Sequence, residues 1–127
     1  MPYMTRWVNE PYILNTTFTG LIDVDEVKEL MHDFLEKLDS GAKLYFLVNF
    51  SRAVTIPTTL LQMDSIIDVL THDNTQWFVL VNPIGFDSNT TRLLVQDKVK
   101  VFENKDNALG FLRGMVRLDT GIALESD

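Results

Sequence analysis

Two threonines at the predicted start of a helix are the side chains best placed to do chemistry. Residues 55–60 read TIPTTL, and proline is typical of the first turn of a helix, so Thr58 and Thr59 follow Pro57 among free backbone amides. Free amides at a helix N-terminus favour a phosphate or another anion. Threonine is also an ordinary capping residue there. The pattern leaves both roles open, and capping is the commoner of the two.

Arg52 is a second candidate, because it follows a predicted central strand in a loop where function is expected. A guanidinium group in such a loop could bind an anion. It could equally form an ion pair with a carboxylate on the surface. Of these two roles for Arg52, the surface ion pair is the commoner.

The spacing of a metal site or a catalytic pair does not occur in the sequence. The chain has no cysteine, and its two histidines, His32 and His72, are not paired at HxH or HxxxH spacing. It also has no GxSxG turn and no glycine-rich phosphate loop. We therefore expect no metal, no cofactor and no catalytic residue, which indicates a protein that is not an enzyme.

Strands and helices alternate along the chain. Apolar or alternating runs predict strands at residues 6–9, 12–19, 44–48, 77–81 and 99–102. Helical spacing of apolar residues predicts helices at 23–38, from Pro57 to about Leu70, at 90–98, and from Asp106 to about Met115. This order is typical of a layered α/β domain with mainly parallel strands. Function in such sheets lies outside the carboxyl ends of the strands, here the loops 49–58 and 82–89.

Composition limits the classes of function that are open to this chain. It has 127 residues and a formal net charge of -7, which fits one domain and argues against a nucleic-acid-binding face. No apolar run approaches the ~20 residues of a membrane span, and the first residues do not form a secretory signal. We expect a cytoplasmic protein with one domain at residues 1–116 and a frayed tail at residues 117–127.

Three segments resemble the STAS domain, a family named for sulfate transporters and anti-sigma factor antagonists. Residues 99–103 read VKVFE, residues 106–112 read DNALGFL, and residues 44–50 read LYFLVNF. The resemblance covers roughly residues 8–115 and is closest to the SpoIIAA-like branch. It implies the layered α/β fold of that branch, with a mixed, mainly parallel sheet of about five strands and four helices.

The resemblance also implies a phosphorylation site. In the antagonist members of the family, the central strand leads to an Asp-Ser-Ser/Thr-Gly motif at the start of the second helix, and a kinase anti-sigma factor phosphorylates the second hydroxyl. Thr59 matches that position, next to Thr58. Pro57 and Leu60 stand where the motif has Asp and Gly, and Asn49 stands where the strand often ends in Asp.

The function implied by the resemblance is a non-enzymatic regulatory module that binds another protein, such as an anti-sigma factor or a kinase-like regulator. The contact surface would lie at the end of the central strand and the start of the second helix, at Asn49, Ser51, Arg52, Pro57 and Leu61. The first two strands would leave a sheet edge uncovered, and such an edge invites pairing. A homodimer is therefore a further possibility for this chain.

The alternative function is a carrier or sensor of a small apolar, lipid-like ligand. A groove between the helices and the sheet could be lined by Met63, Trp77, Phe78 and Phe86. Methionine and aromatic side chains at such spacings are more often part of an ordinary core. A bound apolar molecule would favour the carrier, and a change of size with a partner would favour the regulatory module.

Overall fold

The fold is a five-stranded sheet with helices on both faces. The computed structural model describes residues 3–55, 64–82 and 98–124. Its elements are β1 (Tyr3–Asn9), β2 (Ile13–Leu21), α1 (Val24–Asp39), β3 (Leu44–Thr55), α2 (Asp64–Thr71), β4 (Thr75–Val81), β5 (Val99–Phe102) and α3 (Lys105–Thr120). The described ranges thus contain three of the four predicted helices. The fourth, at residues 90–98, lies outside them apart from Lys98.

The strands lie in the order β1-β2-β3-β4-β5. The pair β1 and β2 is antiparallel, and the remaining neighbours are parallel. This confirms the mixed, mainly parallel sheet that the sequence predicts. Among the described helices, none is long and apolar enough to cross a membrane.

The central strand β3 is buried on both faces, as its continuous apolar run predicts. Phe46 and Val48 pack into the cluster beneath α1 and α2. Tyr45 and Leu47 pack into a second cluster beneath α3. Because side chains alternate along a strand, this single segment joins the two halves of the core.

Helix α1 begins where its capping residue predicts. The Asp23 side chain accepts a hydrogen bond from the backbone amide of Asp25 at 2.9 Å, which satisfies one of the free donors of the first turn. Residues at helical spacing then form the buried face: Val27, Leu30, Met31, Phe34 and Leu38. The helix therefore covers the sheet with its apolar side and leaves its acidic side in water.

Helix α3 is longer than the sequence predicts. The expectation of a frayed tail from residue 117 is wrong for residues 117–120, which continue the helix. Val116 is fully buried in that stretch, and Asp119 accepts a hydrogen bond from the Tyr45 hydroxyl at 2.7 Å. Gly121 then ends the helix with a φ of 77°, a conformation that favours glycine. Leu124 still packs against the second cluster.

The hydrogen bond between Tyr45 and Asp119 connects the start of β3 to the last turn of α3. Removing it in Tyr45→Phe should lower the free energy of unfolding at neutral pH by about 1–2 kcal/mol. Burial, followed by the hydrogen bond to Asp119 and the charge of its carboxylate, raises the pKa of the Tyr45 hydroxyl above its usual 10.0. The same contact therefore makes stability depend on alkaline pH.

The folded protein holds the Tyr45 proton more tightly than the unfolded chain does. The contribution of this proton to the free energy of unfolding is therefore complete below the pKa of tyrosine in the unfolded chain, about 10, and is lost as the pH rises above that value. Urea unfolding at about pH 7 and about pH 10.5 measures both effects. We expect the wild type to lose more stability between these pH values than Tyr45→Phe loses. Equal losses in the two proteins would contradict this role of Tyr45.

Candidate functional site

The described part of the predicted contact surface is the carboxyl end of β3, at Asn49, Ser51 and Arg52. Asn49 is buried, whereas Ser51 and Arg52 are exposed. The adjacent strand β4 ends at Val81 on the same edge of the sheet, because the two strands are parallel. Two predicted residues of this surface, Pro57 and Leu61, lie outside the described residues, as do the two phosphorylation or anion-binding candidates, Thr58 and Thr59.

A bulge interrupts the pairing of β2 with β3 at this point. Thr17 pairs with Asn49 and Thr19 pairs with Arg52, so β3 advances by three residues while β2 advances by two. In a regular strand, Arg52 would lie on the face opposite to Asn49. The extra residue instead brings both side chains to the face that α3 covers, where they line the same pocket.

The Asn49 side chain holds the bulge in place. Its Oδ1 accepts a hydrogen bond from the backbone amide of Ser51 at 2.9 Å and another from the Ser51 hydroxyl at 2.6 Å. Such a contact two residues along the chain is typical of asparagine in a local turn. Phe50 between them faces the other side and stacks on Phe18, with ring centroids 5.4 Å apart. The strand end is therefore anchored from both faces.

Among the described residues, no carboxylate forms an ion pair with Arg52. The commoner of its two predicted roles is therefore not observed there. The two contacts between a basic and an acidic side chain that these residues make both involve a histidine, His32 with Glu36 and His72 with Asp39, and each is an ion pair only when the ring is protonated. Within the described part of the chain, the exposed guanidinium is therefore open to a partner or an anion from outside.

Each histidine contacts an acidic side chain of the fold. His72 Nδ1 accepts a hydrogen bond from the Asn74 amide at 3.1 Å, so Nε2 carries the proton that is donated to Asp39 at 2.9 Å. His32 is largely exposed and lies one helical turn from Glu36. Across residues 3–55, 64–82 and 98–124, no three histidine or acidic side chains are close enough together to hold a metal ion.

The residues proposed for an apolar groove do not line one space. Phe78 is buried in the cluster under α1 and α2, whereas Trp77 lies on the opposite face and packs edge-on against Phe111. Adjacent residues of a strand point to opposite faces, so one groove cannot contain both. Met63 and Phe86 lie outside the described residues.

The cavity beside Phe78 is small. Its volume is about 20 Å³, and Phe18, Met31 and Phe50 contribute to its apolar wall. A single water molecule needs a space of about 10–15 Å³, and ligand pockets span roughly 300–1,000 Å³. This cavity, as the described residues line it, therefore has no room for a lipid.

Asn49→Ala should release the bulge, because both hydrogen bonds to Ser51 are lost. We expect a decrease of about 1–2 kcal/mol in the free energy of unfolding, measured by urea titration. Asn49→Asp is the matched control, because its carboxylate oxygen accepts the same two hydrogen bonds. It should remain closer to the wild type than Asn49→Ala does. If both variants lose the same stability, these hydrogen bonds do not hold the strand end.

Comparisons by sequence do not assign the chain to a family. No protein-family model matches it. No curated protein matches it at a significant level of similarity. The three segments that resemble STAS domains are therefore tested by the fold rather than by the sequence.

A comparison with solved structures identifies a protein with the same fold. The anti-sigma factor antagonist SpoIIAA in its unphosphorylated form superposes with a TM-score of 0.60. The match covers 88% of this chain and 98% of SpoIIAA, with 18% of the aligned residues identical. It confirms the fold implied by the resemblance in residues 8–115, at a level of identity that shows the fold alone. The chain therefore has the layered α/β fold of SpoIIAA.

Proposed function

We propose that this chain is a non-enzymatic regulatory module that binds another protein through the carboxyl end of β3. The observation that carries the proposal is the fold, which matches an anti-sigma factor antagonist over 88% of this chain. An antagonist of this kind acts on another protein rather than on a small substrate. We therefore place the functional surface at the exposed carboxyl end of β3 instead of in an enclosed pocket.

The geometry of the strand end supports this surface. Ser51 and Arg52 are exposed, and the buried Asn49 side chain fixes the backbone that carries them. Arginine is enriched at the centres of protein interfaces, because its planar group forms several hydrogen bonds at once. A fixed backbone also reduces the conformational entropy that is lost when the residue binds a partner.

The pKa shift of Tyr45 agrees with a structural role for that side chain. The contact of Tyr45 with Asp119 is a pair of titratable groups with a large pKa shift. That shift raises the pKa of the tyrosine, so its hydroxyl stays protonated at neutral pH and is a poor nucleophile. Its role is to connect β3 to α3.

Phosphorylation of Thr59 would provide the switch. A phosphate group adds about -1.5 to -2 charge at neutral pH, and the helix N-terminus that the sequence predicts there would favour such a charge. The added charge would repel an acidic partner and attract a basic one. Thr58, beside it, is the second candidate for the modified hydroxyl. A homodimer through the outer edge of β1, which pairs only with β2 among the described strands, stays a prediction.

Site-directed crosslinking tests the contact surface. A photo-reactive amino acid is placed at position 52, and the protein is irradiated in cells of its own host. We expect a crosslink to one partner protein, identified by mass spectrometry. The control position is Lys43, an exposed residue just before β3, at the opposite end of that strand.

Charge reversal gives a second readout for the same partner. Arg52→Glu should weaken binding of the identified partner about tenfold or more, which corresponds to about 1.4 kcal/mol or more. Lys43→Glu makes the same change in net charge and should leave binding within about twofold. Equal effects of the two substitutions, or identical crosslinks from both positions, would overturn the assignment of this surface.

The switch is tested by intact mass spectrometry of protein purified from its own host. We expect one phosphate in part of the molecules, mapped by fragmentation to Thr59. Thr59→Ala should abolish that species, and Thr58→Ala should retain it. If growth under several conditions yields no phosphate on either threonine, the phosphorylation switch is wrong, while the binding surface remains open to the crosslinking test.

A further inference from the structure

A polar pocket of about 320 Å³ lies beside the helix α3 face of the sheet, away from the apolar cavity. Side chains from three strands and from the first residue of α3 line it, and we call it the sheet pocket: Arg6, Asn15, Thr17, Thr19, Arg52 and Lys105. Its composition is unlike that of the whole chain, which has 18 acidic residues against 11 basic ones. Here three cations meet without an acidic residue in the described wall.

The register of the sheet brings these cations together. Arg6 of β1 pairs with Asn15 of β2, and Arg52 of β3 pairs with Thr19 of β2. The bulge in β3 turns Arg52 toward this face. Lys105 joins from above, because α3 begins there. The cluster is therefore a product of pairing, and the three residues are far apart in the sequence.

The positive charges are not neutralised within the described chain. Neither arginine takes part in an ion pair with a described carboxylate, and the same is true of Lys105. Three nearby cations repel one another, so an anion between them would lower the energy of the site. Their side chains are exposed, and an anion can therefore enter from solvent.

Asn15 is a buried polar side chain of the pocket wall whose hydrogen bonding is incomplete. The residue is 2% exposed and contributes to the pocket wall, yet its Oδ1 has no hydrogen-bond partner. Its Nδ2 donates only a long bond of 3.4 Å to the Thr17 hydroxyl. If the side-chain amide is rotated by about 180°, Oδ1 accepts a hydrogen bond from the Thr17 hydroxyl and Nδ2 becomes a free donor. Buried polar groups in proteins are nearly always satisfied, so this amide adds hydrogen-bonding capacity to the pocket wall that the described residues do not use.

We infer that the sheet pocket binds a small organic oxyanion with two or more negative charges, such as a phosphate ester or a tricarboxylate. The charged group would lie between Arg6, Arg52 and Lys105, where charge-assisted hydrogen bonds are strongest. Threonine hydroxyls and the Asn15 amide would bind its remaining oxygens. The inference does not depend on the proposed partner surface, although Arg52 belongs to both.

A second pocket gives room for the organic part of the ligand. It has a volume of about 590 Å³ and shares Arg6 and Lys105 with the sheet pocket. Val8 and Leu109 contribute apolar wall there. Asp106 and Arg113 on its wall carry opposite charges, so the organic part of the ligand would lie there and its negative charges would lie toward Arg52.

Titration followed by two-dimensional ¹H–¹⁵N NMR tests the site with three probes: inorganic phosphate, glycerol 3-phosphate and citrate. The protein is used alone, without a partner, so the result is independent of the proposed interface. We expect saturable shifts of the backbone amides of Arg6, Asn15, Thr19 and Arg52. Binding should weaken when sodium chloride rises from about 20 mM to about 200 mM, because exposed charges are screened.

Three single substitutions locate the binding. Arg52→Gln should weaken binding of the tightest probe about tenfold, since one charge-assisted contact is lost. Thr19→Glu places a carboxylate opposite Arg52 and should abolish binding. Arg117→Gln removes the same charge from an exposed site in the last turn of α3 and should leave binding within about twofold. All three positions are exposed, so each variant should fold.

The probes also distinguish the sources of the anion. Tighter binding of glycerol 3-phosphate than of citrate identifies a phosphate ester, and the reverse order identifies a polycarboxylate. Either order supports the site if the substitutions behave as stated. Shifts that do not saturate with any probe, or an equal loss of affinity in Arg117→Gln and Arg52→Gln, would overturn it.

Discussion

The burial of β3 between two helical layers is the constraint on which the rest of the structure depends. From Leu44 to Phe50 every residue of this strand is buried, with alternate side chains under α1 and α2 and under α3. A strand covered on both faces cannot shift its register without moving apolar side chains into the wrong layer. The position at which it emerges into solvent, at Ser51, is therefore fixed by the core.

The functional surface depends on how this burial ends. Asn49 is the last polar side chain enclosed by the core, and it turns the backbone into a bulge through Ser51. The bulge then places Arg52 on the same face as Asn49. One local hydrogen-bond arrangement thus determines whether the arginine faces α3 or α1, and with it the charge on each side of the sheet.

The two sides of the sheet differ in charge as a result. On the α1 side, burial and the carboxylates of Glu29, Asp33 and Glu26 raise the pKa of Tyr3 in β1. On the α3 side, Arg6, Arg52 and Lys105 surround the sheet pocket. A chain of net charge -7 therefore presents a local basic site, which the net charge alone does not reveal. Partner binding and anion binding would use adjoining parts of that side.

Apolar periodicity and capping by themselves determined most of the fold. The continuous run at residues 44–48 predicted a central strand, and Asp23 with its apolar stripe predicted α1, because these signals are local. Only the tertiary structure decided the end of α3, since Tyr45 is distant in sequence from the Asp119 that it binds. The tertiary structure also decided two further features. One is the bulge in β3, which places Arg52 on the α3 face of the sheet, and the other is the sheet pocket. The cations of that pocket meet through strand pairing, which no local pattern encodes.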